Sequence, residues 1–399
     1  MNQHFDLFYF LPVIWCKKIF IKNFKLTYIQ IFGRILIPKN ILFIIILKKT
    51  NIIINMKDTK FYNIYIFIST FTRNIIDIYS VVFLYQNNIS IHNIIGIYAI
   101  IYFLGIFIST ISLKLGNKIG CKYILISSSI ISAITFYIIN NTKSIYLIAI
   151  FLSLSIFTYH PIKHYYGIKL LNKKEKIGTS LILIYLASFI SSYFVIKKLK
   201  IIYLIIITII GIIPSIFIKK EPKEKIIYPR GIPSSKLRFF IFDQFKILFI
   251  LLEPLYLYLI SKTISYVGIF NIVITISSVI YLYLISNKIN LSKTYKYINI
   301  LFVIVLLLKL NITNQTILLI IAFLEGIGVK TNELVSTMNL YNINKPQTGY
   351  LIISEIIFCL TRTIFLCIIY LSKLDLTNTM YILLIGIFIL SFQYREKTS

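Results

Sequence analysis

Charged residues are scarce in this 399-residue sequence: 14% of the residues are Asp, Glu, Lys or Arg, whereas 58% are hydrophobic. A soluble globular chain has about 25% charged residues and about 45–50% apolar residues. The apolar excess extends along the whole chain, which excludes a soluble domain with one anchor. The composition therefore predicts an all-α polytopic membrane protein.

Motifs for metals, disulfides and nucleotides are also missing. The four cysteines, Cys16, Cys121, Cys359 and Cys367, form no Cys-x-x-Cys pair and lie away from the histidines, so neither a disulfide framework nor a zinc site is expected. The sequence contains no GxxxxGK[ST] phosphate loop. The loops are too short for a soluble catalytic domain. We therefore expect no catalytic residue, no cofactor and no ATP-driven transport.

The basic residues give the chain a net charge of +29, but they lie in short loops between apolar segments. A nucleic-acid-binding domain would gather them on one surface. We therefore expect the protein to lie in a lipid bilayer and not to bind a nucleic acid.

Residues 1–55 differ from the rest of the chain. They carry Lys or Arg every few residues, and their apolar run at 41–47 is too short to span a bilayer. The interspersed charges also argue against a signal peptide, which needs one continuous apolar core. We interpret 1–55 as an N-terminal extension that is either loosely ordered or precedes a true start at Met56.

From residue 61 onward, apolar runs of about 18–24 residues alternate with short polar breaks, as membrane helices require. Twelve spans are predicted, near 62–85, 92–113, 123–140, 144–167, 178–197, 200–218, 239–260, 264–285, 296–310, 315–335, 348–371 and 376–393. The longest polar interval lies in the middle. The predicted domains are a six-helix bundle at 56–218, a basic linker at 219–238 and a second six-helix bundle at 239–399.

Lys and Arg are concentrated in alternate loops and in the central linker, which by the positive-inside rule predicts that both termini are cytoplasmic. The exception is the basic loop with Lys197, Lys198 and Lys200. The expected location is the plasma (inner) membrane.

The basic segment at 113–122, after the second span, resembles the signature of the major facilitator superfamily, roughly G-x-x-x-D-R/K-x-G-R/K-R/K. Three residues match it: Lys118, Gly120 and Lys122. Three residues depart from it: Leu113, Asn117 and Cys121. A related segment at 287–290 lies between two spans of the second half. The resemblance covers about residues 57–395.

This resemblance implies two pseudo-symmetric six-helix bundles that move by alternating access around a small-molecule site, in a protein that acts as a monomer. It also implies a cytoplasmic gating loop formed by Asn117, Lys118, Gly120 and Lys122. In the family, the acidic residue of this loop helps to latch the two halves. Asn117 carries no charge, so the latch is expected to be weaker.

An ionisable residue at membrane depth costs at least ~2.5–3.5 kcal/mol, which makes each one a candidate for function. Arg73 and Asp77 of the first span are four residues apart and share a helix face. They are either a structural pair that offsets its own cost or part of the central cavity. In the second case Asp77 binds a proton or the substrate.

The fourth span ends with His160 and His164 on either side of Pro161. Histidine titrates near neutral pH, which suits a proton relay, and proline bends a helix. The Tyr-His-Pro step resembles that of some efflux-type members of the superfamily. The alternative is that His164 and Lys163 lie at the cytoplasmic interface.

The seventh span carries Asp243, Lys246 and the step Glu253-Pro254. Asp243 and Lys246 are expected near a membrane surface, where they would help to set the orientation of the chain in the membrane. Glu253 is deeper, and the proline beside it suggests a bent, gating helix.

Two further spans carry charges. Glu325 is followed by Gly326 and Gly328, which indicate either an interrupted helix lining a cavity or close helix packing. The next residues, Lys330 and Glu333, are expected at the cytoplasmic interface.

Glu355 and Arg362 of the eleventh span are seven residues apart on one face. We expect the proton-titrating or substrate-facing groups among Asp77, His160, Glu325 and Glu355. Arg73 and Arg362 would be their countercharges.

The sequence thus predicts a secondary active transporter of small solutes that uses the proton gradient, in uptake or efflux. The alternatives are an uncoupled facilitator, a membrane-embedded transferase and a non-transporting scaffold. A lipid-linked transferase normally has a long acidic first outer loop, whereas residues 86–90 are short and uncharged.

Overall fold

The computed structural model describes residues 58–142, 144–170, 174–197, 201–218, 226–229, 231–284, 291–341 and 348–393. The predicted N-terminal extension 1–55 lies outside these residues, as do residues 219–225 and 230 of the predicted linker. Asp77 belongs to a helix, but its side chain is outside the described part.

The described residues fold into helices and contain no strand. The bounds are α1 Asp58–Gln86, α2 Ile91–Ile119, α3 Cys121–Asn141, α4 Ile145–Leu170, α5 Lys174–Ile196, α6a Ile201–Ile210, α6b Ile212–Ile216, α7 Ser234–Ser261, α8 Ile264–Leu284, α9 Leu291–Asn311, α10 Gln315–Tyr341, α11 Thr348–Ser372 and α12 Leu376–Leu390. With α6a and α6b taken as one span, they correspond to the twelve predicted spans. Four boundaries shift by five or six residues: α2 extends beyond residue 113, α7 begins inside the predicted linker, α9 begins at Leu291, and α10 ends at Tyr341.

The chain is an integral membrane protein. Within the described residues, six helical segments are long and apolar enough to cross a bilayer: Lys60–Gln86, Ile91–Ile119, Cys121–Asn141, Ile145–Tyr166, Ile264–Leu282 and Thr348–Ser372. Large apolar side chains such as Phe103, Phe107 and Ile111 are exposed along the outer surface of α2. A bilayer is the solvent that makes such exposure favourable.

The two halves of the chain repeat one packing pattern. In the first half, α1 packs on α5, α2 and α3 pack on α4, and α3 packs on α6a. In the second half, α7 packs on α11, α8 and α9 pack on α10, and α9 packs on α12. Each contact recurs six helices later, so the halves are pseudo-symmetric six-helix bundles.

Three helix pairs form the main junction between the halves: α2 with α11, α5 with α8, and α1 with α7. Helix α4 also packs on α11. Consecutive helices alternate in direction, so α1 begins and α12 ends on the same face, here called the terminal face. Near the other face, called the distal face, Gln86 donates a hydrogen bond to Tyr258 at 3.3 Å, and Asn271 donates one to Tyr79 at 3.4 Å. These bonds tie the halves together on the distal side.

The prediction of a loop at 113–122 is wrong, because the structure is helical on both sides of a single residue. Helix α2 continues to Ile119 and α3 begins at Cys121, so Gly120 alone separates them. Gly120 has φ 115°, a conformation that glycine adopts without the steric cost of a Cβ. Asn117 and Lys118 belong to the last turns of α2, and Lys122 to the first turn of α3. The helices can therefore reverse direction in one residue, and the gating role of the four residues stays a prediction.

Candidate functional site

The second bundle buries a cation between two carboxylates. The Lys309 ammonium of α9 donates to both carboxylate oxygens of Glu325 of α10 at 2.8 Å, and it also forms an ion pair with Glu253 of α7. Lys309 and Glu325 are fully buried, and Glu253 is 4% exposed. The rings of Phe249 and Phe270 lie 5.0 and 5.5 Å from the ammonium. We call Lys309, Glu253 and Glu325 the triad.

The triad holds one cation against two carboxylates. If all three groups are ionised, the site carries one net negative charge away from water, which is costly at membrane depth. One added proton makes the site neutral. The arrangement is therefore chemically able to take up and release a proton.

Sequence reasoning found Glu253 and Glu325 but missed Lys309. Lys309 lies two residues before the end of α9, where a lysine is normally taken as a loop or interface residue. Its side chain instead reaches into the bundle. The available signal was the presence of one carboxylate in the seventh span and one in the tenth span, because buried carboxylates require a countercharge.

The predicted cavity-lining interruption at Gly326 is not observed, because α10 is continuous from Gln315 to Tyr341. A Cβ added at Gly326 would lie 1.8 Å from Ser277 Oγ and 2.4 Å from the Ile274 carbonyl oxygen of α8. The close-packing interpretation is therefore the correct one. Pro254 likewise lies inside the continuous helix α7.

The first bundle has its own buried charge. The Arg73 guanidinium donates to Ser128 Oγ at 2.5 Å and to Ser132 Oγ at 3.0 Å, and also to the Ser155 carbonyl oxygen. It lies 4.0 Å from the centroid of the Tyr159 ring. These partners place Arg73 among α1, α3 and α4, the counterparts of the helices α7, α9 and α10 that hold the triad. The predicted pairing with Asp77 stays untested, because the Asp77 side chain is outside the described part.

Asp243 and Lys246 are buried inside the protein, and their position near a membrane surface stays a prediction. They are 7% and 4% exposed, and the Lys246 ammonium lies 2.5 Å from the Asp243 carboxylate. Ser336 of α10 donates to the same carboxylate at 2.8 Å and accepts from Lys246 at 3.2 Å. A buried ion pair needs such added hydrogen bonds to offset its desolvation. The cluster therefore fixes α7 against α10.

Lys330 and Glu333 connect the two halves, and their position at the cytoplasmic interface stays a prediction. Lys330 is fully buried and pairs with Glu333 at 3.1 Å. Tyr185 of α5 accepts a hydrogen bond from Lys330 at 3.1 Å and donates one to Glu333. Thus α10 carries both a member of the triad and a polar contact with the first bundle.

Glu355 and Arg362 share a face of α11, and they form no ion pair with each other. Arg362 donates to the Gln244 amide oxygen at 2.8 Å, and its guanidinium lies 4.9 Å from the centroid of the Tyr102 ring. Glu355 is buried and has neither a hydrogen bond nor an ion pair in the described part of the chain. Seven residues correspond to about 10.5 Å along a helix, which explains why the two charges do not meet.

Helix α4, which carries His160 and His164, packs on α11 of the second bundle. His160 packs edge-on against Tyr159, with ring centroids 5.2 Å apart. His164 is half-buried, and the charges that act on it include those of Arg362 and Glu333 from the other half. This end of α4 therefore faces the junction between the bundles.

No protein-family model and no curated protein matches the sequence. Solved structures match the fold. A bacterial homologue of the iron transporter ferroportin, in an outward-facing state, aligns at TM-score 0.59 and 11% identity over 85% of this chain and 98% of its own. The nucleoside transporter NupG aligns at TM-score 0.59 and 13% identity, and a mutant form of it at 0.61 and 11%, each over 84% of this chain and 98% of its own. The predicted major facilitator fold is thereby confirmed.

Proposed function

We propose that this protein is a secondary active transporter that moves a small solute by alternating access and couples the movement to protons. The observation that carries the coupling is the triad, which holds one cation between two carboxylates. The fold supports transport and not an enzymatic role, because the solved structures that share it are transporters. The packing supports alternating access, because three helix pairs form the main junction between two similar bundles.

The triad is connected to the junction between the bundles through α10. Protonation of Glu253 or Glu325 changes how strongly Lys309 holds these carboxylates, and therefore how α7, α9 and α10 pack. Eight residues beyond Glu325, Glu333 accepts the hydrogen bond from Tyr185 of the first bundle. A shift of α10 is thus transmitted to the surface along which the bundles move.

An uncoupled facilitator is the main alternative, and in that case the triad only stabilises the second bundle. A non-transporting scaffold gains nothing from ionisable groups that cost energy to bury. The two classes of transporter differ in one measurable respect. Only the coupled transporter accumulates its solute against a gradient.

The test uses the purified full-length protein in proteoliposomes with an imposed pH gradient. A panel of labelled sugars, amino acids, nucleosides, small anions and organic cations is screened, with internal pH recorded by an entrapped dye. We expect solute movement accompanied by proton movement. In Glu253→Gln, accumulation against the gradient should be lost, whereas exchange of labelled for unlabelled solute continues.

Asp375→Asn is the matched control. Asp375 is an exposed carboxylate that caps α12 by accepting from the Asn378 backbone at 2.7 Å, and asparagine also serves as a helix cap. The control should keep accumulation. Flux that ignores the pH gradient, and an unchanged Glu253→Gln variant, would identify a facilitator with a structural triad.

Three further features belong to this proposal: the terminal face is cytoplasmic, the membrane is the plasma (inner) membrane, and the transporter acts as a monomer. The lysine-rich loops support the orientation. Protease access to a C-terminal tag in right-side-out and inverted vesicles tests it. Access in right-side-out vesicles alone would contradict it.

A further inference from the structure

Lys163 is a cation at membrane depth that pairs with no acid in the described part of the chain. It is half-buried within Ile145–Tyr166, a segment apolar enough to cross the bilayer. Its ammonium lies 5.8 Å from the centroid of the Tyr159 ring, and the described residues offer it neither a hydrogen bond nor an ion pair. An aromatic ring offsets only part of the cost of burying a charge.

Arg362 is a second such cation, on the other bundle. Within the described residues, its guanidinium contacts the neutral Gln244 amide and the Tyr102 ring but no carboxylate. The guanidinium has five N–H donors. Most of its hydrogen-bonding capacity is therefore available to another group.

The two cations face the same junction. The Arg362 guanidinium lies over the Tyr102 ring of α2, and that ring packs edge-on, with centroids 5.9 Å apart, against Phe157 of α4, the helix that carries Lys163. Helices α4 and α11 also pack directly on each other. Lys163 belongs to the first bundle and Arg362 to the second. A ligand between them would contact both moving parts of the protein.

The described acids at this junction do not neutralise the cations. Three cations, Lys163, Lys330 and Arg362, face two carboxylates, Glu333 and Glu355. Glu333 is already engaged by Lys330 and Tyr185, and Glu355 pairs with no residue in the described part. At least one positive charge is left over even when both carboxylates are ionised.

We propose that the transported solute is a small anion, and that its carboxylate or phosphate group binds between Lys163 and Arg362. This inference rests on the proposed transport function and names its substrate class. The planar guanidinium fork matches two oxygens of a carboxylate or phosphate, while the ammonium adds a point charge. The bound anion supplies the negative charge that the junction lacks, and it holds the two bundles together while it is bound.

The test measures binding separately from transport. The thermal stability of the detergent-purified protein is recorded with inorganic phosphate, lactate, succinate and glycerol 3-phosphate. Glucose, uridine and tetraphenylphosphonium serve as neutral and cationic comparators. We expect at least one anion to raise Tm in a saturable manner, and its apparent Kd to rise at least tenfold in both Lys163→Gln and Arg362→Gln.

Lys197→Gln is the matched control. Lys197 lies 5.9 Å from the centroid of the Tyr193 ring, the same lysine-to-tyrosine arrangement as Lys163, but it is exposed at the end of α5. Its loss should leave the apparent Kd unchanged. A variant that fails to purify as a single species is replaced by Lys163→Met or Arg362→Met, which also removes the charge and should raise the apparent Kd at least tenfold.

Two results would overturn the inference. One is stabilisation by a neutral or cationic solute with none by any of the anions. The other is anion binding that is equal in wild type, Lys163→Gln and Arg362→Gln. Proton-coupled movement of uridine or glucose in the liposome assay would reject the anionic substrate while leaving the proposed transport function intact.

Discussion

His92 of α2 stacks on Tyr370 of α11, with ring centroids 4.0 Å apart and ring planes at 19°. Gly96, one turn further along α2, packs against the same tyrosine, because an added Cβ would lie 2.9 Å from its ring. The two helices belong to different bundles, and the contact lies near the distal face. It is therefore a contact that alternating access must break.

Crosslinking this contact should stop transport. In a background with Cys16→Ser and Cys367→Ser, the pair His92→Cys and Tyr370→Cys is treated with a short bifunctional maleimide. We expect solute flux in proteoliposomes to fall at least tenfold, because the distal face can no longer open. Each single cysteine variant treated with the reagent is the control. Full flux in a protein shown by mass spectrometry to be crosslinked would mean that this contact stays closed during transport.

Removing Lys309 should destabilise the protein strongly. Lys309→Met leaves the Glu253 and Glu325 carboxylates buried without a cation, and breaking a buried ion pair in this way costs about 3–5 kcal/mol. We expect a clear loss of Tm in detergent. Adding Glu253→Gln and Glu325→Gln to Lys309→Met should recover much of the loss, because no buried charge is left. A single variant as stable as wild type would show that water reaches the triad.

The glycine at the contact of α8 with α10 offers a test of packing. Gly326→Ala places a Cβ into Ser277 and the α8 backbone, and overpacking of this kind costs about 1–3 kcal/mol. Gly231→Ala is the control, because nothing lies within 4 Å of a Cβ added there. We expect a lower Tm for the first variant and an unchanged Tm for the second. Equal Tm values for the two variants would show that α8 and α10 move apart to accommodate the added methyl group without a loss of stability.

The helices could be predicted from the sequence because a bilayer demands long apolar runs, and these runs are visible without tertiary information. The predicted loop at 113–122 failed for a local reason. Its lysines suggested an irregular segment, but lysine is compatible with helix, and only Gly120 needs a non-helical conformation. Polarity therefore did not mark the helix boundary.

The partners of the buried charges could not be predicted, because they depend on how helices pack. Spacing along α11 placed Glu355 and Arg362 on one face, but they form no ion pair with each other. The ion pairs of Lys309 instead join α9 to helices α7 and α10. The sequence analysis placed Lys246 and Lys330 near a membrane surface and did not predict their burial inside the protein, which is rare for lysine. Each is buried beside a carboxylate three residues away in sequence. The three-residue spacing between lysine and carboxylate was informative in these two cases, but it was not used to predict a buried ion pair.

Glu355 should respond to mutation in the opposite sense to Lys163 and Arg362. Glu355 precedes Arg362 by seven residues, about 10 Å along α11, and its carboxylate charge weakens the attraction of the junction for anions. At an effective dielectric constant of about 20, removing that charge is worth about 1–2 kcal/mol, or roughly fivefold to thirtyfold in affinity. In Glu355→Gln we therefore expect the apparent Kd of the stabilising anion, measured by thermal shift, to fall.

The same variant also separates a charge effect from a loss of structure. Because Glu355 has no hydrogen-bond partner in the described part of the chain, the ligand-free Tm of Glu355→Gln should not decrease. Asp375→Asn, which removes an exposed carboxylate of α12, should leave the affinity unchanged. Weaker anion binding in Glu355→Gln would instead make the carboxyl group itself part of the solute site, most simply as a proton-bearing donor to the anion.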